Sequence, residues 1–116
     1  MKIAELAKII NANILSCSDR CDMEVNSACG SDMMSDVLAY VKNQAVLLTG
    51  LVNPQVIRTA NMMDMVCIVF VRGKMPTEEM IELASECGIA VIRTDKRSFE
   101  TCGLLYSAGL ESIVEG

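Results

Sequence analysis

Apolar and polar positions along this chain follow two rhythms, one of about 3.6 residues and one of short continuous apolar runs. Lys2 to Ile10 places Ile3, Leu6 and Ile10 on one helical face and its charged residues elsewhere, the pattern of a surface helix laid on a core. A short extended piece around Asn13 to Ser16 follows, and the polar stretch Ser18-Asp19-Arg20 marks a loop. Met23 to Cys29 alternates, with Glu24 and Asn26 between Met23, Val25 and Ser27, which predicts an edge strand with one wet face. Asp32 to Lys42 carries Met34, Val37, Leu38 and Val41 on one stripe, with Asp32, Ser35 and Asp36 in its opening turns.

The second half is more regular. Ala45 to Thr49 is an apolar run ending at Gly50; Asn53 then caps a helix whose first residue is Pro54, with Val56, Ile57 and Ala60 facing inward. Met65 to Val71 is a further strand, closed by Arg72-Gly73-Lys74. Pro76-Thr77-Glu78-Glu79 opens a helix with acidic residues near its positive end, Met80, Ile81, Ala84 and Cys87 form its buried stripe, and Gly88 ends it. Ile89 to Ile92 is a short strand, and a last helix runs from about Ser98 to Ala108, stopped by Gly109. Three of the strands are continuously apolar, so both of their faces must be covered. The expected fold is therefore α/β, a mostly parallel sheet flanked by helices with right-handed crossovers, in a single small domain spanning residues 1–116.

Composition narrows the functions such a fold can serve. The net charge of −5, with two Tyr, two Phe and no Trp, argues against nucleic acid, which asks for clustered Lys and Arg and for stacking platforms. No stretch approaches the roughly 20 apolar residues that cross a bilayer. Met1 to Ile10 is interrupted by Lys2, Glu5 and Lys8, so no secretory signal is expected, and the six cysteines are expected to be reduced thiols of a cytoplasmic protein. Nine methionines, concentrated at Met33-Met34 and Met62-Met63-Asp64-Met65, fill core gaps; where two neighbours cannot both point inward, one is left for a self-association surface. A homodimer is the expectation, since so short a chain buries a limited core.

In an open parallel sheet ligands bind beyond the carboxyl ends of the strands. Four loops should share that rim: Cys29-Gly30-Ser31-Asp32, Thr49-Gly50-Leu51-Val52-Asn53, Arg72-Gly73-Lys74 and Arg93-Thr94-Asp95. They offer hydroxyls, glycines, basic groups and helix-start N–H groups, a combination suited to a small anionic or phosphorylated ligand. The candidate ligand-binding residues are Gly30, Ser31, Asp32, Thr49, Gly50, Asn53, Arg72, Gly73, Lys74 and Thr94. Ordinary turn roles and solvated charges are the bland reading of the same residues. Neither GxGxxG nor GxxxxGK[ST] occurs.

Catalytic and metal readings are thinner. The chain has no His, the commonest general base and a frequent metal ligand. Cys29, just before a helix start, is the one thiol whose position suggests a lowered pKa, although a small apolar strand-end residue is the simpler role. Asp32 and Asp36 lie four apart and offer oxygens to a divalent cation, with helix-dipole complement and solvation as the plainer roles. Cys17, Cys21 and Cys29 gather three thiols within thirteen residues but lack a fourth ligand nearby; Cys87 or Cys102 would have to supply it from a helix face that the core needs.

Several segments in order resemble the DRTGG domain family: Gly30-Ser31-Asp32-Met33-Met34-Ser35-Asp36-Val37-Leu38-Ala39, Leu47-Leu48-Thr49-Gly50 leading into a helix, Val71-Arg72-Gly73-Lys74-Met75-Pro76, and Thr94 to Tyr106 with Phe99-Glu100 and Cys102-Gly103-Leu104-Leu105-Tyr106. The resemblance runs from the first helix to about Leu110. It implies an α/β domain similar to the N-terminal domain of HPr kinase, found alone or joined to phosphotransacetylases and CBS-domain pyrophosphatases, where it looks like a regulatory, dimer-forming module. Stand-alone members tend to be encoded among hydrogenase and iron–sulfur protein genes, which suggests a redox or metabolic enzyme as partner, or a hydrogenase-associated accessory protein with a Cys-held cluster. The family's signature is altered here: Gly50-Leu51-Val52 stands where many members carry Gly-Asp-Arg, and Arg72-Gly73-Lys74 where they carry Thr-Gly-Gly. The kinase part of HPr kinase, with its phosphate-binding loop, has no counterpart. The expectation is a non-catalytic regulatory or interaction module, with no cofactor assigned.

Overall fold

The strand and helix signals resolve, in a computed structural model that describes residues 1–40 and 45–112, into one six-stranded sheet with helices on both faces. Helix α1 (Ile3–Ile9) leads into β1 (Asn13–Ser16), and a 3-10 turn over Ser18–Arg20 precedes β2 (Ser27–Gly30). Then follow α2 (Met34–Tyr40), β3 (Ala45–Thr49), α3 (Pro54–Met62), β4 (Cys67–Phe70), α4 (Glu78–Cys87), β5 (Ala90–Arg93), α5 (Ser98–Ser107) and the two-residue β6 (Glu111–Ser112). The strand order is β1-β5-β4-β3-β2-β6. Pairs β2–β3, β3–β4, β4–β5 and β2–β6 are parallel, and β1 alone runs antiparallel, against β5. The mostly parallel sheet expected from the apolar runs is therefore present. Val41 and Lys42, assigned from the sequence to the second helix, lie outside the described residues.

The sheet's period of two sorts the core into two halves. Val46 and Leu48 of β3, with Cys67 and Val69 of β4, pack with Ile3, Leu6 and Ile10 of the first helical segment and with Leu105 of α5. Ala45, Leu47, Ile68, Phe70 and Val91 point the other way, against α2, α3 and α4 through Val37, Val56, Ile57, Met80 and Ala84. This division follows from topology. Three successive crossovers step across the sheet in one direction and, with constant hand, put their helices on one face; α5 returns in the opposite direction and lies on the other. The cap expected at Asn53 is present, and the helix opened by Pro76-Thr77-Glu78-Glu79 has one of its own. Asn53 Oδ1 accepts the Gln55 N–H at 2.8 Å at the start of α3, and Thr77 Oγ1 accepts the Met80 N–H at 3.2 Å at the start of α4.

Two local expectations are corrected. The alternation from Met23 does not become sheet until Ser27. The Val25 N–H donates to Met1 O at 2.7 Å and the Ile3 N–H to Met23 O at 3.1 Å, so this segment is spent securing the N-terminus beside α1. Asp32 does not open α2, which begins at Met34; it stays in the loop and its carboxylate turns toward β3. In β1 the register shifts between Ile14 and Ser16, and the Ser16 hydroxyl repairs the ladder there, donating to Ile89 O at 3.2 Å and accepting from the Val91 N–H at 3.1 Å.

Candidate functional site

Because β2, β3, β4 and β5 run parallel, their carboxyl ends meet along one rim, with Thr49, Phe70 and Arg93 in register and Gly30 beside Leu48. All four loops named from the sequence emerge there. The rim is drawn together by Asp32. Its Oδ1 accepts the Thr49 hydroxyl at 2.8 Å and the Gly50 N–H at 2.9 Å, and its Oδ2 lies 3.7 Å from Arg72 Nη2. The Gly50 N–H, then the Thr49 hydroxyl and the Arg72 guanidinium, hold this carboxyl below the ordinary carboxylate range against a modest opposing effect of burial. Thr49 is 1% exposed, whereas the Asp32 side chain is 57% exposed, so a buried donor meets a half-wet acceptor. Thr49 Oγ1 also accepts the Leu51 N–H at 3.1 Å, which fixes its rotamer.

Close approach explains Gly50. A Cβ at that position would overlap the Arg72 guanidinium, so the missing side chain is what lets Arg72 lie across the β3 turn. Arg72 and Gly73 both have positive φ, +60° and +67°, and the Lys74 N–H reaches Val71 O at 3.2 Å, the signature of a type I′ turn. A left-handed Arg costs about 1 kcal/mol, and tertiary bonds hold it. The Arg72 N–H donates to Lys96 O at 2.8 Å and the Gly73 N–H to Thr94 O at 2.9 Å, zipping the β4 turn to the loop after β5. The Arg93 guanidinium adds a bond to Gly73 O at 3.1 Å and pairs with Asp95 at 3.2 Å.

A cavity of about 220 Å³ opens beside this lattice, lined by Gly30, Ser31, Asp32, Leu48, Ser98 and Cys102. A second, of about 170 Å³, continues from the shared residues Gly30, Leu48 and Cys102 along α5 toward Leu105 and Tyr106. The glycine keeps the passage open, since a Cβ on Gly30 would sit 3.3 Å from Cys102 Sγ. Of the ten residues expected at the rim, Gly30, Ser31 and Asp32 line the cavity, and Thr49, Gly50 and Arg72 adjoin it through Asp32. Gly73 is fastened to the β5 loop and Lys74 is exposed.

Other expectations change. Thr94 is not available to a ligand: it is 1% exposed, its hydroxyl donates to Ile10 O at 2.8 Å, and it accepts the Lys96 N–H at 3.2 Å. Asn53 is committed to its cap. The loop amides of the rim are paired as well, the Gly50 N–H with Asp32 and the Arg72 and Gly73 N–H groups with the β5 loop. Cys29 does not have a lowered pKa; burial, with Asp36 and Cys102 nearby, pushes its thiol up. The three-thiol cluster is not assembled either. Cys17 packs against the α1/α5 core and Cys29 against the opposite one, and among the described residues no group of three or more His, Cys, Asp or Glu is placed to hold a metal ion. The sequence reading missed Ser98 and Cys102 as cavity residues, because only the crossover of α5 brings them beside β2. Their one sequence signal is that Ser98 opens the helix after the last rim loop.

The fold and its rim define a small α/β domain of the open parallel type, with its concave surface at the strand carboxyl ends. The DRTGG domain model matches residues 5–108, and the chain belongs to that family. A solved structure of the CBS and DRTGG domains of the regulatory region of Clostridium perfringens pyrophosphatase, complexed with the activator diadenosine tetraphosphate, superposes with a TM-score of 0.76 at 17% identity. The match covers 90% of this chain and 45% of that one, so the chain spans less than half of that regulatory region. The likeness is one of fold. No curated protein matches the sequence. Among the described residues no helix is long and apolar enough to cross a membrane.

Proposed function

We propose that this chain is a non-catalytic regulatory module that binds a small ligand at the strand carboxyl-end rim and acts as a homodimer on a partner enzyme of redox or other metabolism. The observation that carries the reading is the rim cavity, lined by Ser31, Asp32, Ser98, Leu48 and Cys102 and adjoining a second cavity along α5. A concave site with apolar walls and a few polar groups is the usual setting of a small-ligand site. The absence of His from the sequence and the raised thiol of Cys29 support a non-catalytic role. The pyrophosphatase relative, whose CBS–DRTGG region is regulatory and was solved with an activator nucleotide, supports the regulatory half and makes nucleotides the first ligands to try.

Exposed apolar side chains support self-association. Met33, Met62 and Met75 are 61%, 69% and 56% exposed, and Phe99 and Tyr106 of α5 are 93% and 71% exposed. Met34 and Met63, the sequence neighbours of Met33 and Met62, pack against the core, so each pair splits between inside and outside. Sedimentation showing only monomer at micromolar concentration refutes the dimer. The ligand is tested by calorimetric titration with nucleotides and other phosphorylated metabolites, combined with peptide mapping of cysteine alkylation. A ligand seated in the cavity slows modification of Cys102 and leaves that of Cys87, on α4, unchanged. Silence across the panel, with no protection of Cys102, removes the small ligand and leaves the protein partner.

A further inference from the structure

Three donors from two elements converge on one carboxylate from a third. The Thr49 hydroxyl and Gly50 N–H come from the end of β3, and the guanidinium comes from Arg72 after β4; the carboxylate belongs to the loop after β2. A hydroxyl and a backbone N–H on one carboxylate oxygen, with a guanidinium 3.7 Å from the other, make a donor set suited to a small oxyanion. The backbone that carries these donors is held without help from Asp32. Thr49 is buried and braced by the Leu51 N–H, its carbonyl accepts the Val71 N–H at 3.0 Å, and the Arg72 backbone is fixed to Lys96 O. Gly50 supplies the clearance that brings Arg72 over the site. The occupant, by contrast, is a half-exposed side chain in the loop that also forms one wall of the rim cavity.

We propose that Thr49, Gly50 and Arg72 form an oxyanion site and that Asp32 is its built-in occupant, displaced when a carboxylate or phosphate group of a ligand takes the same donors. Displacement frees Asp32 and Met33, while Ser31 stays bonded to Leu48 O, and widens the cavity beside Cys102, so anion binding and cavity opening are one event. The proposal rests on the rim being the ligand site, and it specifies how that site is held closed. It also accounts for the pairing of the Gly50 N–H, because the anion that this donor would attract is already supplied by the chain.

The test is chemical rescue. Asp32→Ala is titrated with sodium formate and with inorganic phosphate, against sodium chloride at matched ionic strength, and melting is followed by circular dichroism. The expected result is a variant less stable than the parent whose melting temperature rises saturably with formate or phosphate, with an affinity at least tenfold tighter than the parent's. Adding Arg72→Gln or Thr49→Val to Asp32→Ala abolishes the rise. Should Asp32→Ala fail to fold, the parent's Gly50 amide, followed by ¹⁵N–¹H correlation spectra, shifts saturably with phosphate and not with chloride. Rescue no larger than that of chloride, rescue that survives both second substitutions, or an unmoved Gly50 amide overturns the proposal. The outcomes separate it from the reading it rests on: nucleotide binding that protects Cys102 without formate rescue keeps the rim ligand and removes the displaceable occupant.

Discussion

Replacing Thr49 by Val removes one hydroxyl from the centre of the rim while keeping shape and volume nearly constant. Two hydrogen bonds go with it: the 2.8 Å donation to Asp32 Oδ1 and the 3.1 Å acceptance from the Leu51 N–H. A bond to a charged group contributes about 1.5–3 kcal/mol. Asp32 is 57% exposed and water replaces part of what it loses, which places the effect at the lower end; the Leu51 N–H adds a smaller amount. The expected loss is about 2 kcal/mol, or a fall of roughly 5–10 °C in Tm for a domain of this size. Urea denaturation monitored by circular dichroism measures it, with Thr101→Val as control. Thr101 is fully buried and its hydroxyl donates to Arg97 O at 2.8 Å, yet that carbonyl keeps the Thr101 N–H at 2.9 Å, so the control should lose well under about 1 kcal/mol. The penalty at Thr49 also has a pH signature. Asp32's folded pKa is depressed, so its contribution is present above its unfolded value, about 4, and is lost as pH falls through the lower folded value. The gap between parent and Thr49→Val should therefore close in that acidic window. A loss below about 0.5 kcal/mol at neutral pH, or a gap that stays constant through the acid range, refutes the account of Asp32 as a charged acceptor.

Ser16→Ala should cost about 2–3 kcal/mol in the same assay, because the buried Ile89 carbonyl and Val91 N–H both lose their partner where β1 shifts register; a change under about 1 kcal/mol would mean the strand re-pairs. Gly73→Ala should cost about 1–2 kcal/mol, from its φ of +67° and a new Cβ placed 3.1 Å from Asp95 Oδ1, measured as a lowered urea midpoint. Cys67 is fully buried and its thiol is pushed up to about 12, so iodoacetamide at pH 8 should leave it unmodified in the native protein and alkylate it after unfolding, as read by peptide mapping. Native modification of Cys67 at a rate near that of Cys21 would contradict its burial.

The local code of this chain is strong enough to determine its elements. Continuous apolar runs such as Ala45–Thr49 leave no wet face, which forces a sheet covered on both sides, and Asn53 with Pro54 and Thr77 with Glu78 fix helix starts through bonds that span two or three residues. The common rim follows from parallel pairing alone. What each rim residue does there was decided by partners far away in sequence. Asp32 reads locally as a helix-start carboxylate, but α2 begins two residues later and Gly50, eighteen residues on, offers its N–H. Thr94 reads as a rim hydroxyl and is instead buried against Ile10, eighty-four residues earlier, because α1 ends at that corner of the sheet. Cys102 and Ser98 enter the cavity only because α5 crosses back over the face that the other crossover helices leave open. Short-range hydrogen bonds and hydrophobic period are written in neighbouring residues; which donor meets which acceptor across strands depends on strand order and crossover direction, and those exist only once the chain has folded.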